Sequence, residues 1–262
     1  MTPTPSAPPP VERLFCAHLQ HEGIGSVYER VVLSRMFRRL LARHGYRSVL
    51  ELGCAITRGY DNVTFLAAGV PATVADDPVE PIESAWALPL RPAFSSRASA
   101  PRADLVWSFA SAQMTPSIVR EMVPLARKHV LVFVPNVVNP GTPIHLVYHA
   151  LTGTPCRHAE RGSVAIRTKV GLRRLLQTAG LRVVVSGYVD APPIPDIAFS
   201  LRELRETIGW APRLGANGQH GADPDALWRR VQQMTAFERS QLVAPLKWLV
   251  GHHIFALGAV PE

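Results

Sequence analysis

Cysteine is scarce in this chain of 262 residues. The three cysteines, Cys16, Cys54 and Cys156, are odd in number and widely spaced, which argues against a disulfide framework. No two of them form the Cys-x-x-Cys spacing of a structural zinc site, so the cysteines predict no metal centre. A chain of this kind suits a reducing compartment, and we predict a cytoplasmic location.

Lysine is also scarce, since it occurs only at positions 128, 169 and 247 and the other basic residues are arginines. The formal net charge of +8 and the pI near 10 raise the question of a nucleic-acid partner, because clustered cations release phosphate counterions. The arginines are scattered along the chain and form no single run. This distribution favours a solvated basic surface, and we predict no nucleic-acid partner.

Long uninterrupted apolar runs are missing as well. The most apolar stretch near the C-terminus, residues 241–260, is interrupted by Lys247, His252 and His253, and Pro245 breaks its helical continuity. A helix that spans a membrane needs about 20 predominantly apolar residues. The sequence therefore predicts no membrane span.

The composition is that of a folded protein, because 47% of the residues are hydrophobic and the length suffices for one substantial core. We predict a disordered leader over residues 1–10, which are rich in Thr, Pro and Ala, and a single domain over 11–262. Segments of helical and strand pattern alternate along that domain. Predicted helices cover 11–44, 61–68, 116–126 and 170–179, and predicted strands cover 48–52, 72–75, 104–109, 129–134, 181–187 and 253–260.

This alternation predicts an α/β fold with a doubly wound, mostly parallel sheet, which binds ligands at the carboxyl ends of its strands. The first strand leads into a turn of small residues. Glu51 closes the strand, and Gly53 allows a tight backbone turn where a side chain would collide with a ligand or with the following helix. The segment 48–59 therefore has the form of a nucleotide-cofactor turn.

A carboxylate follows the second strand. Asp76 lies 23 residues beyond Gly53, where an acid can accept hydrogen bonds from a ribose diol, and Asp77 is the competing candidate. The alternative interpretation is an acid that stabilises exposed amides at a helix N-terminus. A nicotinamide dinucleotide would require glycines where Ala55 and Arg58 stand, and the methyl group of Ala55 would crowd a pyrophosphate. An adenosyl cofactor without phosphate tolerates that methyl group better.

The segment 51–57, Glu-Leu-Gly-Cys-Ala-Ile-Thr, resembles the Glu/Asp-x-Gly-x-Gly-x-Gly motif of class I S-adenosylmethionine-dependent methyltransferases, with Ala55 and Thr57 in place of two glycines. Further along the chain, Asp76 and Glu80 match the family's Asp-x-x-x-Glu spacing. Four more segments resemble the family in the same order: residues 83–90, 102–109, 128–136 and 171–189.

The resemblance implies a Rossmann-like sheet of seven strands in which the last strand, 253–260, runs antiparallel beside 181–187. It also implies an N-terminal helical lid and a helical insertion over 191–249. S-adenosylmethionine is the implied cofactor. Its implied binding residues are Glu51, Gly53, Cys54, Ala55 and Thr57 at the first turn, Asp76 or Asp77 at the ribose, Ser84, Ala85 and Trp86 at the adenine, and Ser108 and Phe109 at the end of the fourth strand.

The implied reaction is methyl transfer to an oxygen or nitrogen of a small molecule, lipid or glycan precursor. His149, His158 and His145 are candidate bases, with structural or surface histidines and a site for a metal as the alternatives. Residues 108–111, Ser-Phe-Ala-Ser, lack the Asn/Asp-Pro-Pro-Tyr/Phe motif of enzymes that methylate base amines. The other hypothesis is a noncatalytic relative that keeps the fold as a binding or scaffold protein, which Ala55, Thr57 and Ser84 favour.

Overall fold

The computed structural model describes residues 11–19, 24–54, 57–109, 116–141, 143, 147, 150–151, 164–191 and 223–261. A seven-stranded sheet forms its centre, with the strands in the order β3-β2-β1-β4-β5-β7-β6. The strands are β1 Val49–Leu52, β2 Ala72–Ala75, β3 Ala93–Ser95, β4 Ala103–Phe109, β5 Ala126–Pro135, β6 Arg182–Val189 and β7 His253–Ala259. The first five are parallel, whereas β7 runs antiparallel to both of its neighbours.

Helices connect the strands and cover the sheet. The α-helices are α1 Val11–His18, α2 Ile24–His44, α3 Val63–Ala67, α4 Glu80–Ser84, α5 Pro116–Leu125, α6 Lys169–Thr178, α7 Pro224–Arg239 and α8 Lys247–Val250. Short 3-10 helices lie at Tyr60–Asn62, Arg97–Ser99, Val164–Arg167 and Ala244–Leu246. No helix in these described parts of the chain is both long and apolar enough to cross a membrane.

Helices cover both faces of the sheet, so the central strands are buried on both sides. Every residue of β1 and β4 is buried. One face packs into a core that includes Phe37 of α2, Trp107 and Phe133, whose rings contact one another, and the other face packs Leu50 and Val132 against α5 and α6. The order of elements along the chain also confirms the alternation of strands and helices that was predicted from the sequence.

The last strand pairs as expected from the resemblance. β7 lies between β5 and β6, and the register places Val189 of β6 opposite His253 of β7. The end of β6 and the start of β7 therefore lie at the same edge of the sheet as the carboxyl ends of the parallel strands. Every side chain discussed below at the candidate sites lies at or near this edge.

Three sequence predictions need correction. The helix predicted over 11–44 is two helices, α1 and α2. The helix predicted over 61–68 begins as a 3-10 turn at Tyr60–Asn62. The strand β3 was missed because it has only three residues and none of them is fully buried, so it carries no apolar run. Of the helical insertion predicted over 191–249, α7 and α8 are observed, and residues 192–222 lie outside the described part.

Candidate active site

The turn after β1 adopts the backbone conformation that its glycine permits. Gly53 has φ of 74°, in the left-handed region that side chains disfavour, and its N–H donates to the carbonyl of Ala75 at the end of β2 at 2.9 Å. A Cβ atom at this position would lie 3.2 Å from Nη2 of Arg97. The glycine therefore provides both the turn and the space beside β2. Ala55 lies outside the described residues.

Asp76 lies at the tip of β2 and faces this turn. Its Oδ2 accepts the N–H of Cys54 at 2.8 Å, and the residue is 6% exposed. Asp77, in contrast, is exposed, and its Oδ1 accepts the backbone N–H of Arg97 at 3.2 Å. Of the two aspartates, Asp76 is thus the one whose carboxylate contacts the glycine turn.

A guanidinium lies against the same carboxylate. Nη2 of Arg97 lies 3.0 Å from Oδ1 of Asp76, which also accepts the N–H of Asp77 at 2.9 Å. Both oxygens of Asp76 therefore have protein partners. Arg97 follows β3, and because β3 was not predicted, nothing in the sequence analysis pointed to this arginine.

Glu51 stabilises the turn from the protein interior through hydrogen bonds. It is fully buried and accepts hydrogen bonds from the hydroxyl of Thr57 and the side-chain amide of Asn62. Burial raises its pKa to about 8, with the nearby Asp61 adding to the shift and the two hydrogen bonds opposing it. Thr57 is 2% exposed and accepts the N–H of Gly59 at 3.1 Å. Both side chains are thus bonded within the turn.

Helix α2 is tied to the turn by a buried ion pair. Nη1 of Arg30 lies 2.9 Å from Oδ2 of Asp61 and 3.3 Å from the carbonyl of Thr57. The two side chains are 6% and 1% exposed. The N-terminal helix and the turn after β1 are therefore held together by charge as well as by apolar contacts.

The residues predicted at the adenine lie at the end of α4 and directly after it. Ser84 is exposed and donates to the carbonyl of Pro81 at 3.2 Å, and the carbonyl of Ala85 accepts the hydroxyl of Tyr60 at 3.3 Å. The indole N–H of Trp86 lies 2.9 Å from the carbonyl of Leu88. Its ring packs between those of Tyr60 and Phe94, with centroids 5.1 and 5.7 Å away. Part of the Trp86 surface therefore has a structural role.

The end of β4 brings two predicted residues to the sheet edge. Ser108 is 1% exposed, and its Oγ lies 4.0 Å from the position of a Gly53 Cβ and has no hydrogen-bond partner among the described residues. A buried hydroxyl without a partner is costly, so Ser108 is a candidate ligand contact. Phe109 is 2% exposed and packs on Phe133 and His253, at 5.3 and 4.5 Å between ring centroids.

The strand order and the contacts at the carboxyl edge together identify the fold. The parallel strands β3-β2-β1-β4-β5 are followed by β7, antiparallel, and then β6, and an acid at the tip of β2 contacts the turn after β1. The chain has the fold of class I S-adenosylmethionine-dependent methyltransferases. No protein-family model matches the sequence, and no curated protein is significantly similar to it.

Solved structures of this fold are distantly similar to the chain. A SAM-dependent methyltransferase from Archaeoglobus fulgidus is 14% identical over 88% of this chain and 94% of its own, with a TM-score of 0.47. A cyclopropane-fatty-acyl-phospholipid synthase-like protein from Lactobacillus casei is 12% identical over 90% and 92%, with a TM-score of 0.48. A methyltransferase from an antibiotic biosynthesis pathway of Anabaena variabilis is 12% identical over 85% and 96%, with a TM-score of 0.46. These likenesses are too distant to bear on the reaction or the acceptor.

The histidines proposed as bases, His145, His149 and His158, lie outside the described residues, so their role stays a prediction. The structure instead brings together a cluster that sequence analysis missed. Its four members are Glu29 on α2, Asp190 after β6, His252 before β7 and His253 at the start of β7. The predicted hairpin could have indicated three of them, because pairing the last two strands places 190 near 252 and 253. The sequence carries no signal that would place Glu29 beside them.

Proposed function

We propose that this protein binds S-adenosylmethionine at the turn after β1 and transfers its methyl group to an oxygen or nitrogen of a small molecule, lipid or glycan precursor. The observation that carries the proposal is the contact between Oδ2 of Asp76 and the N–H of Cys54, at 2.8 Å. This hydrogen bond joins the acid at the end of β2 to the glycine turn after β1. Both lie at the carboxyl edge of the sheet, where doubly wound folds bind nucleotides.

The residues at this edge fit an adenosyl cofactor in their chemistry. Asp76 would hold the ribose hydroxyls, and Gly53 and Cys54 would line the amino-acid end, as Ala55 would in the predicted arrangement. The partnerless, buried hydroxyl of Ser108 is a donor in reach of the same space. The fit has one condition: Arg97 has to release Oδ1 of Asp76. Its side chain is 28% exposed and can rotate into solvent.

The bound cofactor would supply an electrophilic methyl group on a sulfonium. The contribution of the chain would be to align the acceptor and to exclude water, because an in-line displacement depends mostly on orientation. Of the residues that could take a proton from an acceptor hydroxyl, His149 and His158 remain the candidates, with His145 as a third. The adenine would lie near Ser84, Ala85 and Trp86.

Calorimetry of the full chain with S-adenosylmethionine and S-adenosylhomocysteine tests the proposal. We expect binding by the unaltered protein and at least ten-fold weaker binding by Asp76→Asn, because the ribose loses a charged acceptor. Asp77→Asn is the matched control, since this neighbouring aspartate is exposed, and it should bind within about two-fold of the unaltered chain. Absence of heat at millimolar ligand, or equal affinity of Asp76→Asn, would refute the proposal.

The salt bridge between Arg97 and Asp76 favours a second candidate function, a noncatalytic protein that uses the fold as a binding or scaffold module. In that case the guanidinium is a permanent substitute for ligand contacts at the carboxylate. An unaltered chain that binds neither form of the cofactor, together with binding gained in a folded Arg97→Ala variant, would support this alternative, whereas binding by the unaltered chain would contradict it.

A further inference from the structure

The cluster of Glu29, Asp190, His252 and His253 forms a second group of polar side chains at the carboxyl edge, beyond β5 from the glycine turn. One nitrogen or oxygen of each residue lies within 4.8 Å of one of every other. The four residues come from three separate elements, which meet because β7 inserts between β5 and β6 and α2 crosses this edge. The proposed cofactor function uses none of them.

The separations within the cluster match those around a bound ion. Oδ2 of Asp190 lies 3.2 Å from Nδ1 of His252 and 3.6 Å from Nδ1 of His253. Oε2 of Glu29 lies 4.0 and 3.8 Å from the same two nitrogens. Metal–ligand bonds of about 2.0–2.2 Å in a tetrahedron place neighbouring ligand atoms about 3.3–3.6 Å apart. The two distances from Oε2 of Glu29 exceed this range by a few tenths of an ångström.

Burial and charge favour a cation at this place. The side chains of Asp190 and His253 are 2% and 5% exposed, and the carboxylate of Glu29 lies close to that of Asp190. Two carboxylates in a poorly hydrated site repel each other unless positive charge compensates them.

The ligand chemistry distinguishes among metals. Two imidazoles with carboxylates suit zinc and the other first-row transition metals, whereas magnesium and calcium prefer sites made of oxygen ligands alone. Glu29 and His252 keep 20% and 14% of their side-chain surface exposed, so an ion can reach the cluster from solvent.

We propose that Glu29, Asp190, His252 and His253 bind one divalent transition-metal ion, for which zinc is the natural probe. This site is separate from the proposed cofactor site. It lies on the other side of β4, whose terminal Phe109 contacts the ring of His253 at 4.5 Å between centroids. A failure of metal binding would therefore leave the proposed methyl transfer untouched, and the reverse also holds.

The experiment uses the full chain, freed of metal by chelation and dialysis. Cobalt(II) replaces zinc as a spectroscopic probe, and we expect one equivalent to give the visible absorption of a four-coordinate site that zinc then abolishes. Zinc should also raise the melting temperature, because an ion that binds only the folded state stabilises it. Absence of saturable cobalt absorption, or its displacement by millimolar magnesium, would overturn the proposal.

Variants locate the site. We expect His253→Gln and Asp190→Asn each to weaken zinc binding at least ten-fold. His44 and His129 are a matched control, because their rings also contact each other, at 4.6 Å between centroids, but at the opposite edge of the sheet. The double variant His44→Gln/His129→Gln should bind zinc like the unaltered chain. Unchanged zinc affinity in a folded His253→Gln protein would overturn the assignment, and Glu29→Gln gives a second, less buried test.

Discussion

The guanidinium of Arg97 lies 3.0 Å from the carboxylate of Asp76 and only 3.2 Å from the position that a Cβ of Gly53 would take. The arginine thus occupies the side of the crevice on which the proposed cofactor would place its ribose. In the absence of ligand it supplies the charge partner that Asp76 would otherwise lack.

Replacing Arg97 by alanine should strengthen binding of S-adenosylhomocysteine by about two- to five-fold. The reason is that the ligand no longer competes with a partly exposed ion pair, and such pairs contribute about 0.2–1 kcal/mol. Calorimetry measures the change directly. Arg102→Ala is the control, because Arg102 is exposed and directly precedes β4 at the opposite edge of the sheet. This variant should bind S-adenosylhomocysteine with unchanged affinity. Weaker binding by Arg97→Ala would instead mean that the guanidinium contacts the ligand.

Two glycines with nearly the same backbone conformation separate strain from function. Gly53 and Gly69 have φ of 74° and 75°, but a Cβ would meet Arg97 at Gly53 and nothing within 4 Å at Gly69. Alanine at either position should lower the free energy of unfolding by about 1 kcal/mol or more, because the left-handed region disfavours side chains.

Only Gly53→Ala should also weaken S-adenosylhomocysteine binding, since its methyl group enters the crevice. Urea unfolding and calorimetry on the same two preparations separate the effects. Equal losses of affinity in both variants would show that binding responds to backbone strain alone.

Much of the fold was predictable because it depends on local pattern. The strands β1, β4 and β5 are rich in apolar residues, and β2 was predicted at its observed bounds. The acid at the tip of β2 was predicted from the strand pattern and from its distance to Gly53, and Asp76 was preferred over Asp77 because it matches the family's Asp-x-x-x-Glu spacing. In contrast, β3 has three residues without an apolar run, and the contact of Arg97 with Asp76 depends on where that strand places its successor.

The metal-binding cluster illustrates the other limit of sequence analysis. His252 and His253 precede the last strand, and their approach to Asp190 follows from the pairing of β6 with β7. Glu29 joins them from a helix more than 150 residues earlier in the chain. Such a contact depends on the packing of α2 against the sheet edge, which periodicity does not determine.

The buried Glu51 should make stability depend on pH. Its pKa in the folded protein is about 8, raised by burial above the ordinary value near 4.5. Between these two values the folded state holds a proton that the unfolded state has lost, so stability falls as the pH rises. Glutamine resembles the protonated form and removes this dependence.

We therefore expect the stability of the unaltered protein, relative to Glu51→Gln, to fall by about 1 kcal/mol per pH unit between pH 5 and pH 8. Urea unfolding of both proteins at four pH values in this window measures the difference. A difference that stays constant across the window would contradict a raised pKa at Glu51.

The ion pair of Arg30 with Asp61 should stabilise the fold far more than an exposed pair does. Arg30→Met removes the guanidinium that lies 2.9 Å from the buried carboxylate of Asp61, which is 1% exposed, and we expect a loss of about 3–5 kcal/mol in the free energy of unfolding. Arg229→Met is the matched control. Arg229 pairs with Asp223 at 3.7 Å with both side chains more than half exposed, so its loss should cost less than about 1 kcal/mol.

The double variant Arg30→Met/Asp61→Asn tests the cause. The double variant removes both members of the buried pair together, so it should be clearly more stable than the sum of the two single changes predicts. Urea unfolding of the four proteins of this cycle gives the coupling free energy, which we expect to exceed about 1 kcal/mol. Additive losses would mean that Arg30 stabilises the turn through its contact with the Thr57 carbonyl and its packing on Tyr60, 5.3 Å from the ring centroid, and not through charge.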